Sequence, residues 1–391
     1  MNIKLPKQTY LDGAANTPLD KRVFKAMRPY LKESFVGNSF ATHAYGAVAS
    51  VAIEDARLDI ARTLGVGMNE VYFTSGATES NNWIIRSLAE THKGGHIICS
   101  AMEHNSVRKV CEKLEKDGVC SVTYIMPDKY GKIPVLAVKE AIQPKTFLCC
   151  VMGTNNETGT TNAVEEIGKI CKRKKVLLLC DFTQTVTCTP GIFHLRRKFA
   201  HADFFTFSGH KIYGPTGVGC LIARDDVPLN PFIVGGSQEF GKRAGTMNTA
   251  GVIGLAEACK LLRKEQAHNL VHYRELREYL GVQLAKNGFK STVPALHRGD
   301  HPGIISLDMS ADLHFKDLAR ELALDDICVS AGSACDTEHD SGEYNPSHVL
   351  SALSKTQESI QNTIRVSFTK FTTKKDIDRL VSALCLKREG K

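Results

Sequence analysis

The chain has 391 residues, 42% apolar and 24% charged, which excludes a disordered or collagen-like polypeptide and leaves room for one large and one small domain. Lys and Arg outnumber Asp and Glu by 50 to 42, a formal net charge of +8, but the excess lies in short runs such as 172–175 and 196–198 with no interleaved aromatics. Charge alone therefore leaves direct nucleic-acid binding unsupported.

The 13 cysteines include no C-x-x-C pair. That spacing argues against a metal site, and most of them are expected to be small buried hydrophobes. The opening residues lack the apolar core of a signal peptide, and no stretch reaches the roughly 18 apolar residues of a membrane helix. The expectation is a cytoplasmic protein with no metal and no membrane association.

Helical and strand patterns alternate over the first half. Helices are expected over 48–64, 79–90, 107–116 and 164–174, and strands over 70–74, 96–100, 147–152, 176–180 and 203–207. Short apolar runs between amphipathic helices mark a mostly parallel sheet covered on both faces. A long helix over 250–286 leads into a less regular part, with strands at 304–308 and 363–367 and helices at 315–324 and 374–386. The fold class is α/β. The division expected is a large domain over 16–262 and a smaller α+β domain over 263–391, joined by 1–15.

In such sheets ligands bind beyond the carboxyl ends of the strands. Five of the apolar runs are followed there by polar clusters. Ser75-Gly76-Ala77-Thr78 opens a helix whose free N–H groups suit a phosphate. His104 follows the second run, and Asn155 and Asn156 follow the third. Asp181 ends the fourth, and Ser208, His210 and Lys211 follow the fifth. Each cluster alone also reads as an ordinary turn, cap or solvated charge. Together they supply an anion cradle, an acid for a ring nitrogen and an amine, which is what pyridoxal 5'-phosphate (PLP) requires.

The chain resembles the NifS/IscS-type cysteine desulfurases, within the class V aminotransferase group of PLP enzymes. The resemblance rests on YLDGAANTP (10–18), FTSGATESNN (73–82), MEHNSV (102–107), NNETG (155–159), DFTQ (181–184), FSGHKIYGPTGVG (207–219), KRAGT (242–246), VSAGSAC (329–335) and TIRVSF (363–368). They follow the family's order along nearly the whole chain. The lysine motif is highly specific, and VSAGSAC separates desulfurases from most relatives.

The resemblance implies the fold type I architecture of PLP-dependent transferases. It implies that Lys211 forms a Schiff base with PLP, that Asp181 pairs with the ring nitrogen, and that His104 stacks on the ring and moves protons. Gln184 and Asn156 would contact the ring oxygen, with Asn156 also facing the substrate. Ala77, Thr78, Ser208 and His210 would hold the phosphate. Thr246 would reach the phosphate of a neighbouring subunit, which makes the enzyme a homodimer. Arg365 would clamp the carboxylate of L-cysteine in bidentate fashion. Cys335 would take the sulfur as a persulfide, release L-alanine and pass the sulfur to an acceptor protein. That acceptor would serve iron–sulfur assembly, tRNA thiolation or DNA phosphorothioation, which the motifs do not distinguish.

Two departures stand out. Phe240 occupies a position that is often arginine in the family. The segment after Cys335, residues 336–345, is longer and more acidic than usual. Acidic neighbours raise a thiol pKa, so this segment is expected to be shaped for one particular acceptor. Two other readings stay open. One is a selenocysteine lyase or aminotransferase on the same scaffold. The other is a sulfur-delivery subunit of a nucleic-acid modification complex.

Overall fold

A computed structural model describes residues 8–189, 192–331 and 346–390. Its strands, in chain order, are β1 (Thr9–Tyr10), β2 (Val71–Thr74), β3 (His96–Ser100), β4 (Ser121–Ile125), β5 (Thr146–Cys150), β6 (Leu177–Asp181), β7 (Phe204–Ser208), β8 (Gly219–Ala223), β9 (Ile304–Asp308), β10 (Ile327–Cys328) and β11 (Thr363–Ser367). Seven of them form one sheet in the order β2-β8-β7-β6-β5-β3-β4. Strands β3 to β7 pair in parallel, whereas β8 runs antiparallel to both β2 and β7. The mostly parallel sheet is thus as the apolar runs predict. Strands β4 and β8 are additions that the alternation of patterns does not reveal.

Strands β3, β5 and β7 are buried at every residue, because helices cover both faces of the sheet. One apolar cluster lies on the side of helix Ala44–Leu64 and the start of helix Thr249–Lys286; another lies on the side of helix Ala77–Thr91. Helix Ala44–Leu64 stops at Gly65, whose φ of +69° gives the left-handed turn that ends many helices. A third cluster gathers Leu11 with Leu270–Leu284, β9, β11 and helix Lys374–Arg388. Helix Thr249–Lys286 runs through both regions, with Val252–Leu262 in the first cluster and Leu270–Leu284 in the third.

β9 and β11 form an antiparallel pair, and β1 joins β10 in parallel. The N-terminal strand therefore packs with the C-terminal part of the chain, and Asp12 bridges to Ser367 directly after it. Among the described cysteines all but Cys328 and Cys385 are buried, and all are free thiols. No helix of the described residues is long and apolar enough to cross a membrane.

Candidate active site

The ends of β2, β3, β5, β6 and β7 close around a cavity of about 190 Å³. Ala77 and Thr78 line it after β2, His104 after β3 and Asn156 after β5. Asp181 and Gln184 reach it from β6, Ser208, His210 and Lys211 from β7, and Arg365 from β11. Two expected residues are not among its walls. Thr246 is exposed on the surface of the single chain, and Cys335 lies outside the described residues.

The Lys211 amine donates to the carbonyls of Ala14 and Ala15, each at 2.6 Å. Gln184 Nε2 donates to the same Ala14 carbonyl at 2.9 Å. The N-terminal segment is pinned here by Thr17, whose hydroxyl donates to the His210 carbonyl at 2.7 Å and accepts from the Tyr213 N–H at 2.8 Å. Tyr213 has a φ of +63°, a left-handed conformation that costs a residue with a side chain roughly 1–2 kcal/mol. Its buried hydroxyl lies 3.0 Å from that of Tyr273 and accepts the Lys370 N–H at 2.6 Å. These bonds hold the strained turn two residues beyond Lys211.

Asp181 is buried at the end of β6. Its Oδ2 accepts from Asn81 Nδ2 at 2.9 Å, and its Oδ1 accepts from the Thr183 N–H at 2.9 Å. Asn81 also donates to Ser106 Oγ at 2.9 Å and accepts from Thr206 Oγ1 at 2.8 Å. The Ser106 N–H donates to His104 Nδ1 at 3.1 Å, and the Ser106 hydroxyl lies 2.9 Å from the same nitrogen. A ring nitrogen that accepts a backbone N–H is unprotonated, so the geometry places the His104 ring proton on Nε2. Behind it, Glu103 Oε1 accepts the Met152 N–H at 2.7 Å, and burial pushes this carboxyl up to about 8.

Ser208 Oγ accepts the Ala77 N–H at 2.8 Å and so ties β7 to the start of helix Ala77–Thr91. Gly76 precedes that helix at a φ of +157°, and a Cβ on Gly219 would sit 2.5 Å from the Gly76 Cα. Any side chain at Gly219 would push this helix start out of place. Burial, and then the Lys211 ammonium, holds His210 down at about 4, so its ring is neutral at pH 7.

These walls fit PLP. The helix start with Ser208 and a neutral His210 offers hydrogen bonds to a phosphate. Asp181 is a buried carboxylate that suits a ring nitrogen, and Lys211 puts an amine on the same cavity. The Thr183 hydroxyl, also on the wall, is buried without a hydrogen-bond partner, as a group awaiting a polar ligand would be. Among the described residues no group of three or more His, Cys, Asp or Glu could hold a metal.

Sequence reasoning named no role for Asn81, Ser106, Ala14, Ala15 or Asp12. Asn81 had a legible signal: it interrupts the apolar stripe Ala77, Ile84, Leu88 at helical spacing, and it is fully buried.

The aminotransferase class-V family model matches residues 9–380. A cysteine desulfurase IscS of Dictyoglomus turgidum is 37% identical over 97% of this chain and 94% of its own length. A solved NifS-like protein superposes with a TM-score of 0.86 at 31% identity, covering 97% of this chain and 98% of that one. SspA in complex with cysteine superposes with a TM-score of 0.76 at 31% identity, covering 93% of this chain and 99% of that one. With its cavity built at the strand ends of the same fold, the chain belongs to the class V aminotransferase family and, within it, to the PLP-dependent cysteine desulfurases of the IscS/NifS type.

Proposed function

We propose that the protein converts L-cysteine to L-alanine and passes the sulfur through Cys335 to an acceptor protein. The observation that carries this reading is the convergence of Lys211, Asp181, His104 and Arg365 on one cavity. Bound PLP supplies an electron sink for the substrate carbon skeleton. Asp181, fixed by Asn81, would face the ring nitrogen of the bound cofactor. Lys211 would anchor the cofactor, and its Nζ would hold or give up a proton at that atom. His104, with its proton on Nε2, would donate that proton and take it back at the same atom. Arg365 binds the substrate carboxylate.

In the sulfur step the Cβ–S bond of L-cysteine breaks and an S–S bond forms to the Cys335 thiolate. Cβ keeps the electron pair of the broken bond and takes a proton, which gives L-alanine. The family motif VSAGSAC supports Cys335 in this role. The Cys335→Ser holoenzyme is expected to keep the absorbance of lysine-bound PLP, form no persulfide and release little alanine. Wild-type turnover by it would overturn the assignment.

The same reading includes a homodimer. Tyr45, Val48 and Val51 recur at three-residue spacing on helix Ala44–Leu64 and are more than half exposed, as are Val234 and Phe240. An apolar surface of this kind suits a second copy of the chain, whose Thr246 would then reach the phosphate. The separate apolar clusters support the division into 16–262 and 263–391 with 1–15, the boundary falling within a continuous helix.

A further inference from the structure

Arg365 has a side chain only 3% exposed, and a cation so placed requires a counter-charge. Its Nη2 donates to Asp12 Oδ1 at 2.7 Å and to Ser330 Oγ at 3.0 Å, and its Nη1 donates to the Asn156 carbonyl at 3.2 Å. Ser330 closes a ring: its hydroxyl accepts from Arg365 and donates to Asp12 Oδ2 at 2.9 Å. Backbone bridges hold all three in register, Asp12 to Ser367 and Ser330 to Arg365. The Arg365 Nε remains buried without a hydrogen-bond partner. The guanidinium that faces the cavity is therefore already neutralised by a carboxylate of the chain itself.

We propose that Asp12 is a resident counter-ion for Arg365 that an incoming amino-acid carboxylate displaces, so that Asp12 sets how tightly carboxylate ligands bind. This rests on the reading of Arg365 as the carboxylate clamp. The asymmetry of exposure favours exchange at the anion: the Asp12 side chain is 16% exposed against 3% for Arg365. Asp12 can be rehydrated while Ser330 remains its partner, and the cation passes from one carboxylate to another without standing unpaired. Breaking a buried pair outright leaves an uncompensated buried charge, and exchange avoids that step. The consequence is a deliberate weakening of ligand affinity, because the substrate must compete with Asp12 for one fork.

The test uses PLP-loaded wild-type, Asp12→Asn, Ser330→Ala and Arg365→Lys proteins, titrated with L-alanine and with its carboxylate-free counterpart ethylamine. Binding is read from the cofactor absorbance and folding from thermal melting. Asparagine keeps the shape and an acceptor while removing the charge. Asp12→Asn is expected to bind L-alanine about tenfold tighter, the equivalent of about 1.4 kcal/mol, with ethylamine affinity unmoved. Ser330→Ala should shift the alanine-to-ethylamine preference in the same direction by less. Equal or weaker alanine binding by a folded Asp12→Asn protein overturns the proposal. If that variant does not fold, an unmoved preference in Ser330→Ala overturns it instead. Arg365→Lys separates the two layers: an unchanged preference there sinks the clamp reading itself, whereas a lost preference beside an unmoved Asp12→Asn sinks only the exchange.

Discussion

Asn81 holds the Asp181 carboxylate at 2.9 Å from the middle of a helix, and the same amide nitrogen donates to Ser106, which orients His104. One buried side chain thus fixes both the acid expected at the ring nitrogen and the imidazole expected over the ring. Asn81→Ala leaves the Asp181 carboxylate with only the Thr183 N–H among its hydrogen bonds in the described structure. Losing a buried hydrogen bond to a charged group costs about 1.5–3 kcal/mol. We expect PLP to be retained at least about tenfold more weakly, measured by dialysis and cofactor absorbance. Unchanged retention would mean that Asp181 is held by the backbone alone.

Glu103 gives a pH signature. Burial raises its carboxyl from 4.5 to about 8, so the folded protein binds a proton there that the unfolded chain has lost over this range. Stability from this group is full below about pH 4.5 and is lost as pH rises toward 8, at no more than about 1.4 kcal/mol per pH unit. Glu103→Gln keeps the acceptor for the Met152 N–H and does not ionise. The melting temperature of the variant relative to wild type should therefore climb between pH 5 and 8. A constant difference across that range would show that Glu103 is ionised throughout.

Residues just beyond a strand were legible in the sequence, whereas contacts that cross the fold were not. The cavity-lining residues Thr78, His104, Asn156, Asp181 and Lys211 were legible because each sits at or just beyond the end of a short apolar run, where a parallel sheet must expose its ends. Asp12 and Arg365 are 353 residues apart, and Ser330 belongs to a third segment, so only tertiary packing brings the ring together. Strand β8 was hidden because Gly219–Ala223 continues straight from the glycine-rich lysine motif, and an apolar run does not carry its own direction. Strand β4 lies at the sheet edge and has only Ile125 buried, which blurs its pattern.

Phe240, where the family often has arginine, covers a buried ion pair. Arg57 donates to Glu239 at 2.7 and 3.0 Å, and its guanidinium lies 4.7 Å from the Phe73 ring centroid and 5.1 Å from that of Phe240. Glu239 also accepts the Phe73 N–H of β2 at 2.7 Å. Arg57→Met should destabilise the protein by about 3–5 kcal/mol, because it strands a buried carboxylate. Phe240→Ala should cost less, about 0.5–2 kcal/mol for a half-exposed cation–π contact. Denaturant unfolding of the two variants checks the order, and a larger loss for Phe240→Ala would mean that the ring, not the ion pair, holds this turn.

The exposed face of helix Ala44–Leu64 predicts the oligomeric state. Val48 and Val51 are 56% and 61% exposed and lie one turn apart beside Tyr45. Burying such a side chain is worth about 1.5–3 kcal/mol, and a charge in its place must be desolvated at the interface. Sedimentation should give a dimer for the wild type and a monomer for the double variant Val48→Asp, Val51→Asp. Both sites lie on the surface of the single chain, so its own fold and melting transition should survive. The monomer should also hold PLP more weakly, because Thr246 of one copy would no longer meet the phosphate of the other. A monomeric variant with undiminished PLP affinity would remove Thr246 from the site, and a variant that stays dimeric would move the interface elsewhere.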